Sequence, residues 1–126
     1  MILNEKEVKT CLIYICEKMF IEKMKIVEAD LSINDRVYIY AKVIYDYQPF
    51  DISTSFLLDY KNNHICIYDI EAKVEYLIFK LNFMNLIKHV LKDYPVTYTD
   101  DSIVYSIDLP IDSIELDNHT IEVKIK

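Results

Sequence analysis

The chain has 126 residues, 52% of them hydrophobic, and a formal net charge of −7. That length fits one domain, residues 1–126, with a sizeable core, and the hydrophobic content excludes disorder. The negative charge, with Arg36 as the only arginine, excludes a basic nucleic-acid surface and disfavours anionic membranes as partners.

Asn4 followed by Glu7 reads as a capping-box variant opening a helix over about Glu5–Glu22. Val8, Cys11, Leu12, Ile15, Met19 and Phe20 form its apolar stripe. A strand follows, with Val27, Ala29, Leu31 and Ile33 alternating with polar residues. Asn34-Asp35-Arg36 then turns the chain. A three-residue loop sets Ile33 opposite Val37 and Leu31 opposite Ile39, whereas a two-residue loop would mismatch the apolar faces.

From Arg36 to Tyr76 the alternation is almost unbroken. Val37, Ile39, Ala41, Val43, Tyr45 and Tyr47 make one strand; Ile52, Phe56, Leu58 and Tyr60 make the next. His64, Cys66, Tyr68, Ile70, Ala72, Val74 and Tyr76 make a third. Gln48-Pro49-Phe50-Asp51 separates the first two, since proline cannot donate to a ladder. Lys61-Asn62-Asn63 closes the second hairpin, pairing Tyr60 with His64 and Phe56 with Tyr68. There is no glycine, so Asn and Asp must supply the turns, and every glycine-dependent phosphate or nucleotide loop is excluded.

Phe83, Met84, Leu86, Ile87, Val90, Leu91 and Tyr94 form a second helical stripe, capped by Asn82 and ended by Pro95, over about Phe83–Asp93. Val96 and Tyr98 make a short strand, Ile103 to Leu109 another, and Ile114–Leu116 with Ile121–Ile125 a closing hairpin. The order is α-β-β-β-β-α-β-β-β. It predicts an α+β fold: a curved antiparallel sheet of six to seven strands with two helices on one face.

Chemistry is sparse. His64, His89 and His119 share no metal-ligand spacing with one another or with the cysteines, so no metal, cofactor or catalytic set is expected, and the chain does not read as an enzyme. Cys11, Cys16 and Cys66 read as buried reduced thiols. No basic leader and no run of 18 apolar residues is present, which points to a cytoplasmic protein without a transmembrane segment. In this register Tyr40, Leu57, Ile65 and Ile67 gather on the second sheet face near Tyr38. Two accounts stand: the C-terminal strands cover these residues, or they form a contact patch for a partner protein or a second subunit.

Several segments carry a family resemblance. Leu3-Asn4-Glu5-Lys6-Glu7-Val8 opens the chain, and Leu31 to Ile39 reads strand, polar turn, strand. Ile107 to Asn118, followed by Thr120 to Ile125, gives a closing strand, Pro110, an x-Ile-x-x-Ile strand, a turn and a final strand. This pattern resembles the YpmS-like and LmeA-like proteins of Gram-positive bacteria, single units of the tubular lipid-binding (TULIP) fold, with Asn118 where glycine is usual. The resemblance implies a non-enzymatic carrier or sensor for a lipid or other apolar ligand between helices and sheet. Leu12, Ile15, Met19, Ile87 and Leu91 would line that site; the rival account has them simply filling the core. The alternative function is a small acidic interaction module, an inhibitor or regulatory subunit, with a flat patch and no cavity.

Overall fold

The structure is a computed structural model of Met1–Lys126 that describes residues 1–19, 23–77 and 79–126, with only the backbone of residues 19, 79, 80 and 90. The strands form two antiparallel sheets. In the larger, β2 (Met24–Ile33), β3 (Val37–Tyr45), β4 (Gln48–Lys61), β5 (His64–Tyr76), β8 (Ile103–Ser106) and β7 (Val96–Tyr98) lie side by side in that order, with β6 (Phe79–Leu81) paired to β5. Helices α1 (Glu5–Met19) and α2 (Phe83–Val90) complete the expected α+β architecture. The smaller sheet has the order β1 (Ile2–Asn4), β10 (Thr120–Ile125), β9 (Ile111–Asp117). The closing hairpin therefore pairs with the first residues of the chain instead of extending the main sheet.

Local chemistry sets the helix starts. The Asn4 amide donates to Glu7 Oε1 at 3.1 Å and the Glu7 amide to Asn4 Oδ1 at 2.9 Å, a reciprocal cap on α1. Asn82 Oδ1 accepts from the Asn85 amide at 3.0 Å and starts α2. That helix ends at Val90, earlier than the expected Asp93, with Leu91 as its C-cap at φ −102° and ψ 17°. The structure places Glu5–Met19 in α1; the remaining expected residues 20–22 lie outside those described.

The first hairpin has the expected three-residue loop, with Ile33 opposite Val37 and Leu31 opposite Ile39. The next two depart from expectation. Asp46 and Tyr47, both at positive φ (51° and 65°), make a two-residue turn, so β4 begins at Gln48 and Pro49 lies within it. Pro49 is tolerated because it sits one position beyond the closing Tyr45–Gln48 pair, where its nitrogen points away from β3, and β5 pairing starts only at Asp51. Asn62 and Asn63, at φ 51° and 61°, also form a two-residue turn, pairing Tyr60 with Ile65 rather than His64.

That register is corrected along β5 by a bulge. Ser55 pairs with Glu71 but Leu57 with Tyr68, so β5 carries one extra residue, and Asp69 there has φ 51°. One extra residue reverses which side chains face the helices. Ala72 and Val74 face them on one side of the bulge, whereas Ile67 and Ile65 do so on the other, opposite Leu58 and Tyr60.

The main cluster joins the two sheets. Val8 of α1, Ile33 of β2, Tyr60 of β4 and Ile111, Ile121 and Val123 of the small sheet are all buried together, with Leu3, Leu12, Leu58 and Ile65 packed around them. Tyr60 OH donates to Ile107 O at 3.1 Å and accepts from the Leu109 amide at 3.0 Å, so the chain leaves the main sheet after Ser106 rather than at Leu109.

The small sheet is also tied down at its tip. The His119 amide donates to Ile33 O at 2.7 Å, the Ile33 amide to Glu5 Oε2 at 2.7 Å, and His119 Nδ1 lies 3.2 Å from Glu5 Oε1. The Ile33 amide, followed by the His119 ring, holds the Glu5 carboxyl below its ordinary value of 4.5. A lowered folded pKa means that this stabilisation is present above the unfolded value and is lost as pH falls through the folded one. Glu5→Gln is therefore expected to lower the urea midpoint at pH 7 and to bring a flatter pH dependence below 4.5. An acid limb of unchanged steepness would show that Glu5 carries no such linkage.

Candidate functional site

The cavity that both helices share lies over β2, β3 and the start of β4. Lys9, Leu12, Ile13 and Cys16 of α1 form one wall, and Phe83, Leu86 and Ile87 of α2, with Leu91 just after it, form another. Ala29, Leu31, Ile39, Ala41, Val43, Phe50 and Ile52 make the floor. The cavity has a volume of about 390 Å³, is partly open, and has an apolar wall. Its cause is visible in the register: Ala29 lies directly opposite Ala41, so two methyl side chains meet where the flanking pairs are Leu31–Ile39 and Ile26–Val43. The floor dips there, and neither helix fills it.

Three of the five residues expected to line a ligand site, Leu12, Ile87 and Leu91, do line this cavity. Ile15 does not; it is 48% exposed. The Met19 side chain lies outside the described residues. The helix is turned from the expected stripe toward Ile13 and Cys16. At about 100° per residue, positions 9, 12, 13 and 16 share an arc that leaves Ile15 at its edge. Val8, seven residues earlier, lies on the same edge as Ile15 but is held in the main cluster, because the small sheet covers the first turns of α1. Ile13 and Cys16 line the cavity from outside the counted stripe, and Phe83, Leu86 and the alanine pair, which lie on the counted faces, line it as well.

The thiols differ in setting. Cys11 is exposed and Cys16 and Cys66 are half-buried, so they are not uniformly core residues, and all three are free. Burial, aided by the Glu17 charge, pushes the Cys16 thiol above its ordinary value. Among the described residues no group of three His, Cys, Asp or Glu side chains is placed to hold a metal.

The cavity opens at one end. Lys9, Asp30, Leu31 and Ile39 also border a wider, shallower recess of about 680 Å³, to which Glu5 and Lys6 of α1 and Thr54 and Ala72 of the sheet contribute. Asp30 lies on the opposite pleat from Ala29 and Leu31, so its carboxylate is directed to the second face.

The five residues expected to form a surface patch are divided by the β5 bulge. Tyr38 and Tyr40 lie on the second face opposite Ser55 and Ser53, and Leu57 lies there opposite Tyr68. Ile65 packs against the main cluster, and Ile67, opposite Leu58, shares its side of the sheet. Tyr38 is 39% exposed. Among the described residues, no helix is long and apolar enough to cross a membrane. Compared with protein-family models, curated proteins and solved structures, the chain matches none of them.

Proposed function

We propose that the chain is a non-enzymatic binding protein for a lipid or other apolar ligand, held between α1, α2 and the sheet. The observation that carries this reading is the apolar cavity of about 390 Å³. A packed interior leaves few voids larger than a water, whereas ligand sites start at roughly 300 Å³. The resemblance of the closing segments to the YpmS-like and LmeA-like proteins points the same way. The rival reading, an acidic interaction module, requires a flat patch and no cavity.

Native mass spectrometry after gentle purification tests the proposal, with organic extraction to identify any bound mass. Cys16 provides a second readout because it borders the cavity while Cys11 is exposed. Occupied protein is expected to alkylate slowly at Cys16, and stripped protein faster, with Cys11 constant as the internal reference. A clean apo mass, with Cys16 reacting at one rate before and after exposure to apolar extract, would sink the carrier reading and leave the interaction module ahead.

A further inference from the structure

The apolar cavity shares Lys9, Asp30, Leu31 and Ile39 with a recess over which one turn and a half of α1 sets Glu5, Lys6 and Lys9; Asp30, Glu71 and Lys73 also border it, from the pleat opposite Leu31 and Ala72. Lys9 borders both spaces, Lys6 and Glu5 border only the recess, and the floor beneath them is Thr54 and Ala72. Glu5 is already engaged by the Ile33 amide and by His119. Lys6 and Lys9 have no ion-pair partner among the described residues, although acidic residues outnumber basic ones by 21 to 14 in the chain. Lys9 is half-buried and borders both spaces, the position in which a long cationic side chain can cover apolar surface with its stem and keep its ammonium in water.

We infer that the ligand is a single-chain amphiphile with an anionic head, a long-chain carboxylate. Its tail occupies the apolar cavity and its head is held at the recess by Lys6 and Lys9. The inference rests on the proposed function and adds the chemical class. Size fits one chain: a space of about 390 Å³ holds roughly a dozen groups of about 30 Å³, the share of a water and close to that of a methylene. Two chains would not fit. The polarity order also fits, since a carboxylate deep in the cavity would lie against apolar side chains, whereas where the two spaces meet Lys6 and Lys9 offer two ammonium groups. Net protein charge disfavours such an anion at long range, so selectivity must come from these two side chains at short range.

Titration calorimetry on the full chain, below micellar concentrations, separates head from tail with three probes of equal chain length: dodecanoate, dodecanol and dodecyltrimethylammonium. Dodecanoate is expected to bind about tenfold more tightly than dodecanol, equivalent to 1.4 kcal/mol, with the ammonium probe weakest. The double variant Lys6→Gln/Lys9→Gln should bring dodecanoate to within about twofold of dodecanol, and Lys6→Arg/Lys9→Arg should restore most of the preference. Thermal unfolding of each variant confirms that it is folded. Equal binding of dodecanoate and dodecanol, or preference for the ammonium probe, overturns the anionic-head inference while leaving an apolar site. Absence of binding by all three overturns the proposed function together with it.

Discussion

Ile33→Asp is expected to leave a chain with no cooperative unfolding transition. Ile33 is fully buried, in one cluster with Val8, Tyr60, Ile111, Ile121 and Val123, so it holds α1, the main sheet and the small sheet at once. A carboxylate there would find no donor: the Ile33 amide is already used by Glu5, whose own negative charge lies alongside. Holding that carboxyl buried, protonated or not, costs several kcal/mol on top of the lost Ile33 packing, together comparable with the roughly 5–15 kcal/mol that such a domain has in total. The graded partner is Ile33→Ala, expected to cost about 2–5 kcal/mol through lost burial and the space left behind. Urea denaturation followed by circular dichroism and by tyrosine fluorescence reads both. Because the cluster spans the two sheets, the two probes should shift together for Ile33→Ala. A wild-type midpoint in that variant, or a transition that splits in two, would mean that the sheets do not share this core.

How much of this was legible in the sequence depends on the range over which each feature is specified. The Asn4–Glu7 cap and the Asn82 cap are local, and both are formed. The loop at Asn34-Asp35-Arg36 was also fixed, because only one length keeps Ile33 and Val37 on one face. In β5 the same argument failed. Residues 64–76 carry apolar side chains on both parities, Ile65 and Ile67 as well as Cys66, Tyr68 and Ile70. The pattern therefore tolerates an extra residue at Asp69 without any visible break, and the bulge is held by residues distant in the chain, Arg36 on Asp69 and the Asp101 carbonyl on the Ile70 amide. The small sheet escaped for a similar reason. Ile2–Asn4 is too short to signal a strand and becomes one by pairing with Thr120–Glu122 at the far end of the chain. The cavity floor was within reach, since the first hairpin register already opposes Ala29 and Ala41. The helix rotation was not, because Val8 and the Glu5–Ile33 contact set it through tertiary packing.

Arg36→Met is expected to destabilise the fold by about 2–3 kcal/mol, well above the usual effect of changing a surface cation. Arg36 is the only arginine, and its side chain is 15% exposed. Nη1 donates to Asp69 Oδ2 at 2.7 Å, the other terminal nitrogen donates to the Asp69 carbonyl, and Nε donates to Ser55 Oγ at 3.2 Å. Asp69, by hydrogen bond and then by charge, raises the guanidinium further above its ordinary value, so it is cationic at any working pH. The fork thus holds both ends of the register shift: Ser55 on β4 and the left-handed Asp69 on β5. With methionine in place, the Asp69 carboxylate can turn to water, being 55% exposed, but the buried Ser55 hydroxyl loses its donor at a cost of about 1–3 kcal/mol. The bulge also loses what offsets its backbone conformation. Arg36→Lys should recover little, because one ammonium cannot span three acceptors in a planar fork. Asp69→Gly should be milder than Arg36→Met, since glycine accepts φ near 51° without strain. Hydrogen exchange locates the effect: in Arg36→Met the amides of residues 66–72 should lose protection before those of β2 and β3. Full rescue by Arg36→Lys, or uniform loss of protection across the sheet, would show that the guanidinium does not secure the bulge. In that case the inward placement of Ile65 and Ile67 would rest on side-chain packing and on the hydrogen bond from the Ile70 amide to the Asp101 carbonyl.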